Sequence, residues 1–185
     1  MPDPVEMLTK DHREVEALFE EYRTGRGPAV VRRICDELTV HTAVEEKVVY
    51  PALASDVDGG RQMRDHAEKE HAEVKQAILA IERAGYDSSE VDPLMQKIIE
   101  GVAEHVREEE RDVFPAMRSQ ISEDRMSQLG SEAQAAKQEL TAEVAHAGPL
   151  VDLTKEQLYE MAKEKGIEHR SEMNKEELIS AIRAS

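Results

Sequence analysis

His41–Pro51, HTAVEEKVVYP, recurs sixty-four residues later as His105–Pro115, HVREEERDVFP. Both copies read His-x-x-x-Glu-Glu, three residues, an aromatic and a proline. The spacing predicts the second half of a long helix in each case, with the proline near its end. Four helical residues turn about 400°, so positions i and i+4 lie roughly 40° apart and one turn up. His41 and Glu45 therefore share a face, as do His105 and Glu109. An imidazole and a carboxylate so placed make half a metal site, and two such helices facing each other make most of one.

The rest of the chain fits long helices around these copies. Its 185 residues allow one ordinary domain, or one domain plus a small module. Aromatics are 3% and Trp is absent, so a core must rest on Val, Leu, Ile, Met and Ala. Charged residues reach 35%, a composition suited to amphipathic helices rather than a sheet. The net charge of −16 disfavours nucleic acid and anionic membrane surfaces. The first residues, MPDPVEMLTKDH, carry neither a basic nor an apolar leader segment, and no apolar run approaches a bilayer span. The single cysteine, Cys35, excludes an internal disulfide and any CxxC zinc knuckle, and reads as a small core residue. The expectation is a soluble, cytoplasmic, all-α protein.

Taken in order, residues 4–23 show one buried stripe, Val5, Leu8, His12, Val15, Phe19 and Tyr22, interrupted by His12. Gly25-Arg-Gly27 stops that helix, and Pro28 suits the first turn of the next. Residues 28–54 carry Ile34, Leu38, His41, Glu45, Val48 and Ala52 on one face. After the turn SDVDGG, residues 61–84 carry Ala67, His71, Val74, Ile78 and Ile81. His66, five residues before His71, falls roughly 140° away on the flank with Glu70 and Glu73, as a solvated or outer residue. Residues 91–119 carry Met95, Ile98, Val102, His105, Glu109, Asp112 and Ala116. Four helices with short connections predict an up-down-up-down four-helix bundle. A fifth helical pattern at 122–145 has Ser122 as cap and no inward histidine; it reads as a packing helix or an arm to a partner. His146-Ala-Gly-Pro149 reads as a linker, with no role for His146. The expected organisation is residues 1–145 as the bundle with its following helix, 146–151 as linker, and 152–185 as a small helical module. In that module Thr154 with Gln157, and Asn174 with Glu177, have the spacing of helix starts, and Gly166 is placed to end the first helix.

One histidine thus sits on the buried stripe of each of four helices: His12, His41, His71 and His105. Two of them have an inward glutamate one turn on. Each unpaired buried polar group costs about 1–3 kcal/mol, and a buried carboxylate more. Six of them would consume most of a typical stability of about 5–15 kcal/mol. A cation compensates them directly, because neutral imidazole and ionised carboxylate are the forms it binds. Four His and two Glu exceed one tetrahedral zinc and suit two first-row ions bridged by the carboxylates. The ferritin-like di-iron bundles use Glu-x-x-His, a different order and spacing, and are set aside.

Asp11-His12, His41-x-x-x-Glu45, Glu70-His71 and His105-x-x-x-Glu109 through Phe114-Pro115 resemble a hemerythrin-like, or HHE cation-binding, domain, from residue 4 to about 120–140. The resemblance implies a bundle with two non-haem iron ions, oxo- or hydroxo-bridged. It further implies His12, His41, His71 and His105 as ligands, Glu45 and Glu109 as bridges. Glu46 and Glu110 are the adjacent alternatives, turned off the stripe by their spacing of five. Oxygen-carrying hemerythrins have a further histidine one turn before the inward one of the third helix. That position is Ala67 here, a departure that leaves coordination open or lets His66 or Tyr50 approach. Tyr50 itself reads as a packing residue. The six-residue pattern is more similar to bacterial domains that handle oxygen, nitric oxide, peroxide or iron. The C-terminal text, Leu153-Thr-Lys-Glu-Gln-Leu158, Ala162, Gly166-Ile167 and Asn174 to Ile179, is similar to the N-terminal domain of transcription terminator Rho and to SAP-like modules. Such modules often touch nucleic acid, but residues 151–185 carry six Lys or Arg against eight Asp or Glu, so a protein partner fits better.

The function expected is a di-iron protein that reacts with or senses O2, NO or H2O2, in the setting of oxidative stress. Turnover, as peroxide decomposition or nitric oxide reduction, stays open, because no general acid or base stands out beyond the ligands. The alternative is an oxygen or iron sensor that signals through the C-terminal module to a protein or nucleic acid. Storage is disfavoured because two ions per chain store little.

Overall fold

Two prolines follow the places where the helical rods widen. Pro51 and Pro115 lack the N–H that would bond back along the helix, and their rings crowd the carbonyl four residues earlier. In the computed structural model, which describes residues 3–25, 27–147, 150 and 153–184, each proline follows a single widened turn of π-helix, Glu45–Val49 and Glu109–Val113. The Tyr50 amide reaches back five residues to the Glu45 carbonyl, and the Phe114 amide to that of Glu109.

The elements run α1 (Pro4–Gly25), α2 (Pro28–Val44), the first π turn, α3 (Tyr50–Asp56), α4 (Gly60–Ala84), α5 (Val91–Glu108), the second π turn, α6 (Phe114–Gln120), α7 (Glu123–Ala147), α8 (Lys155–Glu164) and α9 (Lys175–Ala184). Helix α1, the rod α2–α3, helix α4 and the rod α5–α6 form the expected up-down-up-down bundle. Between α3 and α4, Gly59 takes a left-handed φ of 74°, and a Cβ on Gly60 would lie 1.8 Å from the Leu53 carbonyl oxygen, so both positions need glycine.

Each π turn inserts one residue into the helical count, and this corrects the expected stripes. Beyond Glu45 the next buried positions are Val49, Tyr50, Ala52 and Leu53; Val48 is only partly buried. Beyond Glu109 they are Val113, Phe114 and Met117; Asp112 is exposed and Ala116 partly buried. The expected register of 3.6 residues per turn holds up to each glutamate; after it the buried position moves from Val48 to Val49, from Asp112 to Val113 and from Ala116 to Met117, while Ala52 stays buried as expected.

Two apolar clusters fill the bundle. One end holds Phe19, Tyr22, Ile34, Leu38, Ile78, Ile81, Met95 and Ile98, with Cys35 buried among them. The other holds Leu8, Val49, Leu53, Phe114, Met117 and, from α7, Met126 and Leu129. Helix α7 packs along α1 and α2 through Ala133 and Ala136 against Val40 and Val44. Its first turn is capped as expected, the Arg125 amide donating to Ser122 Oγ at 3.3 Å. It runs to Ala147, into the expected linker, of which residues 148, 149 and 151 lie outside the described residues, as does the side chain of His146.

In the C-terminal module α8 and α9 pair over Leu158, Ala162, Leu178, Ile179 and Ile182, with Leu79 of α4 against the same cluster. Thr154 and Gln157 form a reciprocal capping box, as do Asn174 and Glu177. Gly166 at φ 71° lets the Ile167 amide return to the Ala162 carbonyl at 2.8 Å, which ends α8. No helix among the described residues is long and apolar enough to cross a membrane.

Candidate metal centre

Between the two apolar clusters the bundle turns polar. His12, His41, Glu45, His71, His105 and Glu109 are all buried, and Glu45 has no exposed surface. The helical periods set in each element bring them together, one His from each of four helices. The rings form two pairs, His12 with His41 at 5.0 Å between centroids and His71 with His105 at 4.7 Å.

Each carboxylate reaches one member of each pair. Glu45 Oε2 lies 3.2 Å from His41 Nε2 and 3.3 Å from His71 Nε2. Glu109 Oε2 lies 3.4 Å from His12 Nε2 and 3.5 Å from His105 Nε2. Two overlapping groups of donors follow, His12, His41, Glu45 and Glu109, and then Glu45, His71 and His105, with atoms inside each group no more than 4.8 Å apart. Glu45 belongs to both. Buried donors without a hydrogen-bond partner include His12 Nε2, both oxygens of Glu45 and Glu109 Oε2. Orphaned atoms of this kind are costly unless a cation takes them, so the donor set fits a metal of the His and carboxylate class.

The second nitrogen of each ring points outward, to an acid on the next helix. His12 Nδ1 is 3.1 Å from Glu110, His71 Nδ1 is 3.0 Å from Glu46, and His105 Nδ1 is 2.8 Å from Glu70. His41 Nδ1 is 3.9 Å from Asp11, an ion-pair separation rather than a hydrogen bond. The four acids make a closed ring: Asp11 on α1 serves α2, Glu46 serves α4, Glu70 on α4 serves α5, and Glu110 serves α1. Glu110, Glu46 and Glu70 each fix a ring orientation that presents Nε2 to the centre. Three have a cation outside them. Lys137 of α7 reaches Asp11 at 2.5 Å, Lys75 reaches Glu46 at 2.6 Å, and Arg13 reaches Glu110 at 2.7 Å. Burial works against ionising these acids, but the neighbouring imidazoles and cations outweigh it and hold Asp11, Glu46 and Glu110 below their ordinary values. Glu70 is held down in the same way by His105.

Burial and neighbouring charges set the two central carboxylates apart. Burial and the charge of Glu109 push Glu45 far up. Burial opposes charge on Glu109 as well, but His105, His12 and His41 outweigh it and bring its carboxyl down to about 2. Burial drives His41 down to about 4 despite Asp11. Burial also disfavours charge on His12 and His105, yet Glu109 outweighs it and both are raised.

Tyr50 corrects the expectation of a packing residue. It is fully buried, and its hydroxyl donates to Glu109 Oε1 at 3.0 Å and lies 3.2 Å from His71 Nε2. Burial and the two carboxylates keep the phenol protonated. His66 stands where its flank position predicts, on the surface beside Glu70 and Glu108. The sequence reading missed the outer acids as a set. Their signal was adjacency: Asp11, Glu46, Glu70 and Glu110 each neighbour a central residue, and one helical residue is 100° around, toward the next helix. A small cavity opens beside the imidazoles, walled by Val15, Leu38, Val74, Val102 and Val106.

Residues 3–117 match the family model described as the hemerythrin HHE cation binding domain, and residues 150–185 match that of the Rho termination factor N-terminal domain. Similar proteins include a DNA nickase from Nostoc sp., 27% identical over 139 residues, covering 73% of this chain and 39% of the nickase. An uncharacterised hemerythrin-like protein from Schizosaccharomyces pombe is 24% identical over 129 residues, 67% of this chain and 64% of that protein. The chain therefore spans less than two thirds of either relative. A crystal structure of a hemerythrin HHE cation binding domain-containing protein from Mycobacterium kansasii has the same fold, with a TM-score of 0.67 at 20% identity over 80% of this chain and 92% of that one.

Proposed function

Because the chain belongs to the hemerythrin HHE cation-binding family, whose model spans residues 3–117, we propose that His12, His41, Glu45, His71, His105 and Glu109 hold two non-haem iron ions, and that the centre reacts with or senses a small oxidant or diatomic gas. The observation that carries this reading is the doubled contact of each carboxylate, Glu45 with His41 and His71, and Glu109 with His12 and His105. Side chains so placed could hold two cations, one by His12 and His41 and one by His71 and His105, with both carboxylates shared between them. Bound iron would supply one-electron chemistry and open coordination positions for O2, NO or H2O2.

The chain's own part is positioning and exclusion. Glu110, Glu46 and Glu70 hold Nδ1 of His12, His71 and His105 and so turn each Nε2 inward. The valine-walled cavity beside the rings admits a small molecule and offers bulk water few polar partners. Tyr50 supplies a hydroxyl that donates to Glu109 and lies against His71, on one side of the centre.

Elemental analysis with an ultraviolet–visible spectrum before and after hydrogen peroxide tests the reading. Near two irons per chain, with near-ultraviolet absorption that peroxide alters, is the expected result. One zinc, or no metal after iron-replete expression, refutes it. Gas evolution from peroxide would mark an enzyme.

A second reading, a sensor, is favoured by α7, which reaches the centre through Lys137 and Asp11 and leads into the module of residues 152–185. Lys165 of that module lies 3.9 Å from Glu143 of α7. Deletion of residues 147–185 separates the readings: an enzyme keeps its turnover, whereas a sensor keeps its spectrum and loses its protein or nucleic-acid partner.

A further inference from the structure

The ring of outer acids divides three to one. Asp11, Glu46 and Glu110 are each backed by a lysine or arginine. Behind Glu70 stands His66, with Nε2 3.6 Å from Glu70 Oε1 and 2.9 Å from Glu108 Oε2. An imidazole differs from lysine or arginine in one respect that matters here: when neutral it is a metal ligand. We propose that His66, Glu70 and Glu108 form a second, solvent-accessible site for a divalent first-row cation, and that this site passes cations to the buried centre.

The geometry is that of a chelate. His66 and Glu70 are one turn apart on α4, and Glu108 is the last residue of α5, so the donors come from two packed helices. One atom from each lies within 4.8 Å of the others. Donors around a tetrahedral ion with bonds near 2.0–2.1 Å sit about 3.3 Å apart, and the separations of 2.9 and 3.6 Å bracket that value. The His66 side chain is 58% exposed, Glu108 30% and Glu70 21%, so a hydrated ion can reach all three. Three protein donors leave positions for water, which suits a site that must release its ion. The chain's net charge of −16 raises the local cation concentration.

Glu70 connects this site to the centre. Its Oε1 faces His66 while its Oε2 is 2.8 Å from His105 Nδ1. A cation held outside therefore sits one carboxylate and one imidazole away from the inner donors. The cation site stands on its own residues; its loading role rests on the proposed metal centre.

The test uses the full chain and two surface variants, His66→Ala and Glu108→Gln. Zinc added to iron-loaded protein and counted by equilibrium dialysis should show one further equivalent in wild type, bound about 10-fold or more weaker in each variant. Equal zinc binding by all three overturns the site. Anaerobic ferrous iron added to metal-stripped protein should fill the centre roughly 10-fold more slowly in His66→Ala, the low end of electrostatic focusing effects, to the same final content. An equal filling rate overturns the loading role, and a lower final content does so too, since it would put His66 in the centre itself. If wild type takes up no iron, the reading of the centre fails, and the zinc difference between wild type and His66→Ala still decides the outer site.

Discussion

The two halves of the bundle, α1–α3 and α4–α6, are built on one plan and differ at the aromatic before each proline. Both halves carry an acid–histidine pair on the first helix, His-x-x-x-Glu-Glu on the second, and a π turn. Where the first half has Tyr50, with its hydroxyl on Glu109 and His71, the second has Phe114, stacked on His12 at 5.7 Å between centroids. The Tyr50 ring reaches across the centre to donors of the second half, whereas Phe114 closes the face of a donor of the first. A repeat thus supplies a symmetric set of candidate donors, and one oxygen atom makes the two sides of that set chemically unequal.

The largest expected effect tests the equality of the halves. His41→Ala and His71→Ala should each weaken metal binding by more than about 100-fold, beyond what loss of an outer partner costs, because one oxygen of Glu45 contacts both rings. Elemental analysis showing one tightly held ion in either variant would break the equivalence. His66→Ala should keep the buried iron; equal loss from His66→Ala and His71→Ala would refute the assignment of faces on α4.

Acid should act next most strongly. Burial and the charge of Glu109 favour the protonated form of Glu45, and the Glu109 carboxylate, outweighing burial, favours the protonated forms of His12 and His105. Cations must displace those protons, so affinity should fall as pH falls, by about 10-fold per pH unit for each proton released. A flat profile from pH 8 to 6 in a competition assay against a chelator would contradict it.

The outer acids should rank by distance. Glu46→Gln and Glu110→Gln should each cost about 10–100-fold in metal affinity. Asp11→Asn should cost less, since it stands 3.9 Å from His41 Nδ1. A larger loss from Asp11→Asn would show that contact to be tighter when metal is bound. Smallest is Tyr50→Phe, which makes the first half like the second. It should retain iron and lower unfolding stability by roughly 1.5 kcal/mol, the value of a hydrogen bond to a charged acceptor. Loss of metal in calorimetric samples of that variant would make Tyr50 a direct ligand.

The six central residues and the face that carries them were legible because α1 and α4 are regular throughout, and α2 and α5 are regular up to their glutamates. Period alone placed His12, His41, His71 and His105 inward. It failed after Glu45 and Glu109 because a widened turn leaves no mark in hydrophobic spacing other than the proline behind it. Asp112 and Val113 exchanged places for that reason. The Tyr50 contact was hidden by the same slip. Lys137 was illegible for another cause: it pairs with Asp11 across 126 positions of chain, and no local pattern marks such a partner.

The ring of outer acids also sets an order of manufacture. A ribosome that has released α1 through α4 has exposed His12, His41, Glu45 and His71. At that moment the ring that steadies His12 waits on Glu110, and the second central carboxylate, Glu109, is still to be made. Domains generally fold as units as the chain emerges, and here the first-made histidine is oriented by an acid made almost a hundred residues later. A cation taken up by this domain would therefore find its donors steadied only after translation of the sixth helix, in a bundle already closed.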